Sequence, residues 1–558
     1  MKSHLGPKVS LAILSGLALA LAFPKFDLNL LAWVAFVPLF YAVEDESPAR
    51  IFVYAWLQGL ACYSGSLYWI EITLHDFAGQ PFAIAVLPLI LLAAVLAIFT
   101  GTAIWAGEYA ARRLSVPLFV TAPIAWAAIE WVRSFFPIGF PWNLLGDSAY
   151  RNLQLIQFAE FTGTYGVSAL IVFFNAVVYC VLFSRYTTRA RVWSLSVLTA
   201  LMLAALIFGT LRIAQIEHAA PQGTLKVAMV QGNIPQTLKW KPENLANSFS
   251  VYVDQSELAA KQGADLIVWP EAAAEFFFQP DANYPAGFAG DAEYRNRLLE
   301  TARSTGADFL FGAPAIGSQD GRLGTYNRAD LVSGRGQVEA HYDKIQLVPF
   351  GEYVPARSVL GFIVNRIVEG MGDLIPGTEQ TIFNAKGARL GVLICYESIF
   401  PDLTRREAKR GADVLVNITN DAWYGQSSAP YQLLAMAAMR SVENKVPMVR
   451  AANTGISAII SPTGAIVAPT PLFVRDTEVE KVGWRDRGGT VYSAVGDLFA
   501  EVCFVLIAGA LLAGWLRPRR IKPLEKFASN LATRNGIGSR ANRPPRLNGP
   551  GDSPKQML

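Results

Sequence analysis

What most constrains the fold of this chain is where its apolar runs lie. Seven precede residue 214, at roughly 9–23, 29–43, 51–70, 82–106, 116–133, 164–183 and 193–213, and an eighth covers about 498–516. A helix that crosses a bilayer needs ~20 consecutive apolar residues, so the first two runs are short and draw on their flanks. The run VLPLILLAAVLAIF (86–99) is apolar on every face, which excludes an amphipathic surface helix there. Between the seventh and eighth runs lies a stretch of mixed composition, long enough for one large soluble domain. The chain therefore reads as a membrane α-helical bundle of about eight spans plus one α/β domain. Residues 1–213 hold the first seven spans, 214–222 a linker, 223–490 the α/β domain and 498–516 the eighth span. Composition agrees: 52% of the 558 residues are hydrophobic and only 16% are charged, against about 25% charged in an ordinary soluble domain.

Lysine and arginine set the orientation. Lys2, Lys8, Arg50, Arg112, Arg113, Arg185, Arg189 and Arg191 mark one set of span ends, and Arg517, Arg519, Arg520 and Lys522 follow the last span. Read as positive-inside, both termini are cytoplasmic and residues 214–497 are exported. The first run also reads as a signal peptide, with small residues near a possible cleavage site. Cleavage would leave the second span running from outside to inside. The tail, 517–558, carries ten Lys or Arg against Glu525 and Asp552 and is rich in Pro, Gly, Asn and Ser. It is expected to be disordered and to lie near an anionic leaflet. Phe527 is the single aromatic among its charges, so nucleic-acid binding is not expected. Inside the spans charge is sparse. Glu130, with Arg133 at i+3, reads as an interfacial ion pair, and the absence of a proton relay argues against a transporter.

The middle domain alternates strands and helices. Strands are expected at 223–234, 264–271, 307–316, 326–333, 336–344, 389–397, 412–421, 446–455 and 457–467, and helices at 242–262, 291–305, 400–410 and 430–444. That pattern argues an α/β domain, and in such sheets ligands gather at the carboxyl ends of strands. Three reactive side chains sit there. Glu271 ends LIVWPE, Lys344 lies in HYDKIQLVPFGEYVP, and Cys395 ends GVLIC. Each alone is weak: a glutamate after a strand is usually a solvated turn residue, and a buried cysteine is usually inert. Cys395 is, however, the only cysteine of this domain, so it has no disulfide partner there. A thiol also needs something to take its proton, and the domain's histidines are only His218 and His341. With no Cys/His cluster of ligand spacing, no metal is implied.

WPE (269–271), DK (343–344) and CYE (395–397) resemble the Glu-Lys-Cys constellation of the nitrilase, or carbon–nitrogen hydrolase, superfamily. The longer segments NIPQTLKW (233–240), KIQLVPFGEYVP (344–355), CYESIFP (395–401) and NDAWYG (420–425), inside an eight-span frame, resemble the apolipoprotein N-acyltransferase family. The resemblance covers nearly the whole chain. It implies an α/β/β/α sandwich, nitrilase-like, with two sheets face to face and helices outside. It implies transfer of an acyl chain from a phospholipid donor to the α-amine of the diacylglyceryl-modified cysteine of apolipoproteins, at the inner membrane, with no cofactor. No partner subunit is implied, and a monomer is expected.

The resemblance also implies roles. Cys395 is the nucleophile, Glu271 the base, and Lys344 the positive charge that favours the thiolate and the oxyanion. An unperturbed carboxylate, at ~4.3, is a poor base for a thiol at ~8.5, so burial is expected to raise Glu271 into a useful range. The amide of Tyr396 is the natural second oxyanion donor. Glu352 is expected to orient Lys344 or assist proton transfer, and Glu397 to hold the loop after the nucleophile. Trp240 and Trp423 are expected to line substrate contacts. Tryptophan also favours the membrane interface by itself, Tyr396 reads equally as a packed aromatic, and Glu352 and Glu397 as surface carboxylates. Apolar loops at 135–146, 275–280 and 355–368 either pack against the protein or dip into the interface as a lid. The Glu-Lys-Cys core alone leaves a membrane-tethered amidase or nitrilase open, because both share the first half-reaction. A non-catalytic membrane scaffold is the third reading, weakened by retention of all three reactive residues.

Overall fold

The computed structural model describes residues 5–184, 186–278, 291–319, 322–355, 374–485 and 489–517. Of the loop 355–368 only Pro355 is among these residues and of the tail only Arg517, and 279–280 of the loop 275–280 lie outside them. Seven principal helices come first: α1 (Leu5–Ala22), α2 (Phe36–Val43), α3 (Pro48–Ser66), α4 (Phe82–Leu114), α5 (Leu118–Arg133), α6 (Ala159–Leu182) and α7 (Thr188–His218). The α/β domain follows, and α12 (Leu498–Leu516) closes the described chain.

Four helices, α4, α6, α7 and α12, are long and apolar enough to cross a membrane. The other expected spans differ for local reasons. The second breaks into a 3-10 turn, Asn29–Trp33, and the eight-residue α2. α5 has 16 residues, and α3 carries Arg50 and Gln58. α6 is the central helix, with 67% of its most apolar window buried, whereas only 17% of that of α7 is buried. α7 runs on to His218, so most of the expected linker is helical. Close helix approach is set by small residues: a Cβ on Gly107 of α4 would stand 3.0 Å from the Cα of Ala122 on α5.

Glu130 and Arg133 are buried rather than interfacial, with 3.8 Å between them. The reason is the loop that follows. Arg133 donates to the carbonyls of Trp142 and Asn143, and Glu130 accepts from the Leu145 amide at 2.7 Å. The pair thus fastens 142–145 back over the end of α5. The tip of that loop behaves differently, since Phe135, Phe136 and Ile138 are exposed.

The α/β domain is built on two six-stranded sheets. The first runs in the order β12-β1-β2-β3-β4-β5, with β1 (Gly223–Gln231), β2 (Leu266–Val268), β3 (Asp308–Gln319), β4 (Arg322–Val332), β5 (Val338–Asp343) and β12 (Asp476–Trp484). The second runs β11-β10-β9-β8-β7-β6, with β6 (Ile382–Ala385), β7 (Ala388–Ile394), β8 (Val414–Thr419), β9 (Met448–Ala452), β10 (Ala458–Ile460) and β11 (Ile466–Val467). Neither β6 nor β12 is among the strands expected from the sequence.

A shared core of Val227, Met229, Val268, Leu331, Val392, Val416 and Val449 joins the inner faces of the two sheets. The outer face of the first sheet packs on α8 (Pro242–Lys261) and α9 (Asp291–Thr305) through Phe249, Tyr252, Leu298 and Ala302. The outer face of the second packs on α10 (Pro401–Lys409) and α11 (Ala429–Asn444). This is the expected α/β/β/α layering, with one addition. The core on the far side of the second sheet is continuous with the helical bundle, joining Leu434, Ala438 and Val442 of α11 to Ile156, Ala159 and Val167. All of α11 except Tyr431 is buried.

The parallel strands matter most for the site. β1, β2 and β3 run parallel in one sheet, and β7, β8 and β9 in the other. Their carboxyl ends bring the segments after β2, β7, β8 and β9 to one place.

Candidate active site

β2 ends at Val268, and the chain turns sharply at Glu271 and Ala272. Ala272 has φ +50, a left-handed conformation that costs a non-glycine residue of order 1–3 kcal/mol. The turn lies directly on β3. A Cβ on Gly312 would stand 2.4 Å from the Ala272 nitrogen and 2.7 Å from the Glu271 Cα, so only glycine lets the backbones approach this closely. β7 ends in a second strained residue. Cys395 itself has φ +53 and starts a 3-10 turn, Cys395–Ile399. The turn lifts the thiol off the strand line and leaves it buried.

The residues expected to meet do so. Lys344 Nζ lies 3.1 Å from Glu271 Oε1 and 2.9 Å from Glu352 Oε1. The Cys395 thiol lies within reach of both the Glu271 and the Lys344 charges. Lys344 and Glu271 are both buried, so their attraction is little screened.

Two asparagines complete the ring. Asn327 of β4 donates to Glu271 Oε1 at 2.7 Å and to Glu352 Oε1 at 3.1 Å, and the backbone amide of Asn420 donates to Glu271 Oε2 at 2.9 Å. Sequence reasoning gave neither a role. NDAWYG contains Asn420, and Asn327 is the inward polar residue of an otherwise ordinary strand.

The electrostatics correct one expectation. Burial pushes the Glu271 carboxyl up, but the Lys344 charge and the hydrogen bonds from Asn327 and Lys344 outweigh it and hold the group below the usual carboxylate range. Lys344 is opposed by burial, yet Glu271 and Glu352 hold it well above its ordinary value. Burial, reinforced by the Glu271 charge, pushes the Cys395 thiol up. The resting site is therefore a carboxylate, an ammonium and a neutral thiol. Glu271 is thus ionised at rest, and burial does not raise it as expected from the sequence.

Glu397 holds the two sheets together at this point. Its Oε1 accepts from the Tyr342 hydroxyl at 2.7 Å and from the amides of Ile345 and Gln346 at 2.7 and 3.0 Å, and its Oε2 accepts from Ile394 N at 2.7 Å. One carboxylate thus fixes the loop after Lys344 against the strand end before Cys395. Glu352 accepts from Val348 N at 2.8 Å as well as from Lys344. Neither is the surface carboxylate that a bland reading allows.

Beneath the nucleophile, Asn417 donates to the Cys395 carbonyl at 3.3 Å. Arg450 binds Asn417 and pairs with Asp421 at 2.8 Å, with both charged groups fully buried. The aromatic side of the site belongs partly to the bundle. Tyr396 stacks near Trp142, which itself packs on Trp69 and Tyr424. Trp423 is half-buried, its carbonyl accepting from Thr73 and its ring edge meeting Phe77. Trp240 stands apart from the ring: it is 50% exposed, and its amide donates to Glu275 at 2.6 Å.

The carbon-nitrogen hydrolase family matches residues 226–482, and the apolipoprotein N-acyltransferase N-terminal domain matches residues 15–177. An apolipoprotein N-acyltransferase of Geobacter metallireducens is 40% identical over 517 residues, covering 91% of this chain and 95% of that protein. One of Methylococcus capsulatus is 32% identical, covering 87% and 92%. Among solved structures, an amidase from Nesterenkonia sp. is 23% identical, covering 47% of this chain and 93% of that one, with a TM-score of 0.35.

Proposed function

This chain belongs to the apolipoprotein N-acyltransferase family, and from that premise we propose that it moves an acyl chain from a phospholipid to the N-terminal amine of diacylglyceryl-modified apolipoproteins. The observation that carries the reading is the buried Glu271–Lys344 ion pair, whose two charges act on the Cys395 thiol at the meeting point of the two sheets.

Cys395 attacks the phospholipid ester carbonyl while its proton passes to Glu271. A tetrahedral oxyanion forms, met by Lys344 Nζ and the amide of Tyr396. The C–O bond breaks, the lysophospholipid alkoxide takes the proton from Glu271, and an acyl thioester remains on Cys395. The lipoprotein amine then attacks the thioester and loses its proton to Glu271. The C–S bond breaks, and the proton returns to the thiolate. Each half-reaction restores the carboxylate, so the cycle is a ping-pong acyl transfer. Glu352 keeps Lys344 in place, and Glu397 keeps the two loops in register. Trp240 and Trp423 flank the approach to the thiol.

The chain is read as an inner-membrane protein of about eight spans with both termini cytoplasmic and the α/β domain periplasmic. The buried aromatic group of Trp69, Trp142, Tyr396 and Tyr424 supports entry of an acyl chain from the bundle side. The hydrolase alternative has less support, because this chain matches the apolipoprotein N-acyltransferase N-terminal domain as well as the hydrolase domain.

The test is mass spectrometry of a diacylated lipopeptide incubated with the protein and phospholipid. The expected product carries the acyl group on the amine. Release of free fatty acid with an unmodified peptide would replace this reading with the hydrolase.

A further inference from the structure

Lys239 belongs to the NIPQTLKW segment, and the mechanism above leaves it without a part. Its side chain is only 4% exposed, and lysine is almost never buried this far without a partner. The partner is a backbone carbonyl: Nζ donates to the oxygen of Ala272 at 2.7 Å. Ala272 is the strained residue directly after Glu271, and its turn rests on Gly312 from below. Lys239 closes it from above. The adjacent Trp240 amide holds Glu275 Oε2 at 2.6 Å, so residues 239 and 240 grip both ends of the 271–275 loop.

The charges point the same way. Glu271 faces Lys344 from the segment after β5, the Cys395 thiol from β7, Tyr424 from the segment after β8 and Lys239 from the loop after β1, while Glu352 pairs with Lys344, Glu275 faces Lys239 and Asp421 faces the thiol. Asp421 is neutralised by Arg450. Without Lys239, the carboxylates of Glu271 and Glu352 would share the ammonium of Lys344, and Glu275 would lose the cation that faces it. Burial pulls Lys239 down, while Glu275 and Glu271 act to keep it charged.

We propose that Lys239 is a positioning residue for Glu271: its buried ammonium clamps the Ala272 carbonyl and is the second positive charge beside the carboxylate that receives the Cys395 proton. The proposal rests on the reading of Glu271 as the base.

Thioester formation on the full-length protein in detergent, with a phospholipid donor, is followed as a function of pH. In Lys239→Met the acidic limb should move up by about one pH unit, with acylation about tenfold slower at a fixed pH on that limb, and Lys239→Arg should restore the limb. Glu275→Gln removes a competing negative charge, so its limb should move down. Opposite movements in the two variants support the proposal, because a purely structural role would move neither limb. Should Lys239→Met fail to fold, the Glu275→Gln limb decides alone. A wild-type limb in a folded Lys239→Met, or an upward or unmoved limb in Glu275→Gln, overturns it. A wild type that forms no thioester overturns the reading of the base itself, and the proposal with it.

Discussion

The two sheets of the α/β domain face each other across one core but live in different surroundings. The first is covered by α8 and α9, which bury one face and leave the other to solvent, as amphipathic helices do. The second is covered by α11, which is buried almost all round because the helical bundle lies against its outer side. The division of labour follows. The first sheet supplies the charged groups, Glu271, Lys344, Glu352 and Lys239. The second supplies the thiol, Asn417, which donates to the Cys395 carbonyl, and the Asn420 amide, which donates to Glu271. The thiol thus belongs to the sheet that backs onto the bundle, and the charged groups are brought to it from the sheet on the opposite side.

The comparison can be broken most severely from the first sheet. Glu271→Gln keeps the shape and removes the base, so thioester formation should fall about a thousandfold, measured by intact-protein mass spectrometry over time. From the second sheet the damage should appear in stability. Arg450→Met leaves Asp421 charged and buried alone, which costs about 3–5 kcal/mol. Thermal unfolding in detergent should show the loss, and replacing Asp421 as well with leucine should recover part of it. Glu397 bridges the two sheets, so Glu397→Gln should weaken both properties. A glutamine offers one acceptor oxygen where four donors converge, at a cost of about 1–3 kcal/mol, and acylation should slow about a hundredfold.

The mildest effect is one of pH. Glu407 of α10 is fully buried, and burial together with the Glu397 charge pushes its carboxyl up to about 8. Its unfolded value is ~4.3, so between the two values the folded protein holds a proton that the unfolded chain releases. Stability contributed by this group is intact below ~4.3 and declines as pH rises toward 8. The melting temperature should fall between pH 5 and pH 8, and Glu407→Gln should flatten that slope.

The site was legible to the extent that parallel strands obey a rule. Glu271 and Cys395 are 124 residues apart in sequence, yet both end buried parallel strands, and such ends collect on one edge. Lys344 comes from an antiparallel strand and was found by resemblance rather than by pattern. Asn327 and Arg450 were not found, because an isolated polar residue in a strand looks like an ordinary outward one. Only the partner sheet shows which way it faces. β12 was missed although DTEVEKVGW alternates weakly, since its pairing partner, β1, lies more than 240 residues earlier. For α11 the sequence predicts a helix at 430–444 and nothing of what surrounds it. Its polar residues are satisfied by the bundle: Gln432 donates to Ser66 O and accepts from Trp142, Glu443 accepts from Thr164, and the adjacent Lys445 reaches Gln157. No local pattern encodes partners that lie 276 to 408 positions away.

That shared helix also limits how far the molecule is modular. Cutting the chain at its apparent boundaries, near 214 and 497, would strip α11 of its second set of neighbours. Leu434, Ala438 and Val442 would meet water, and the Arg440–Glu443 pair would lose Thr164. The bundle would be left with an unfilled socket around Trp142, whose indole donates to Gln432. Neither half is a finished protein. A water-soluble catalytic fragment therefore calls for redesign of one sixteen-residue helix rather than a choice of better end points.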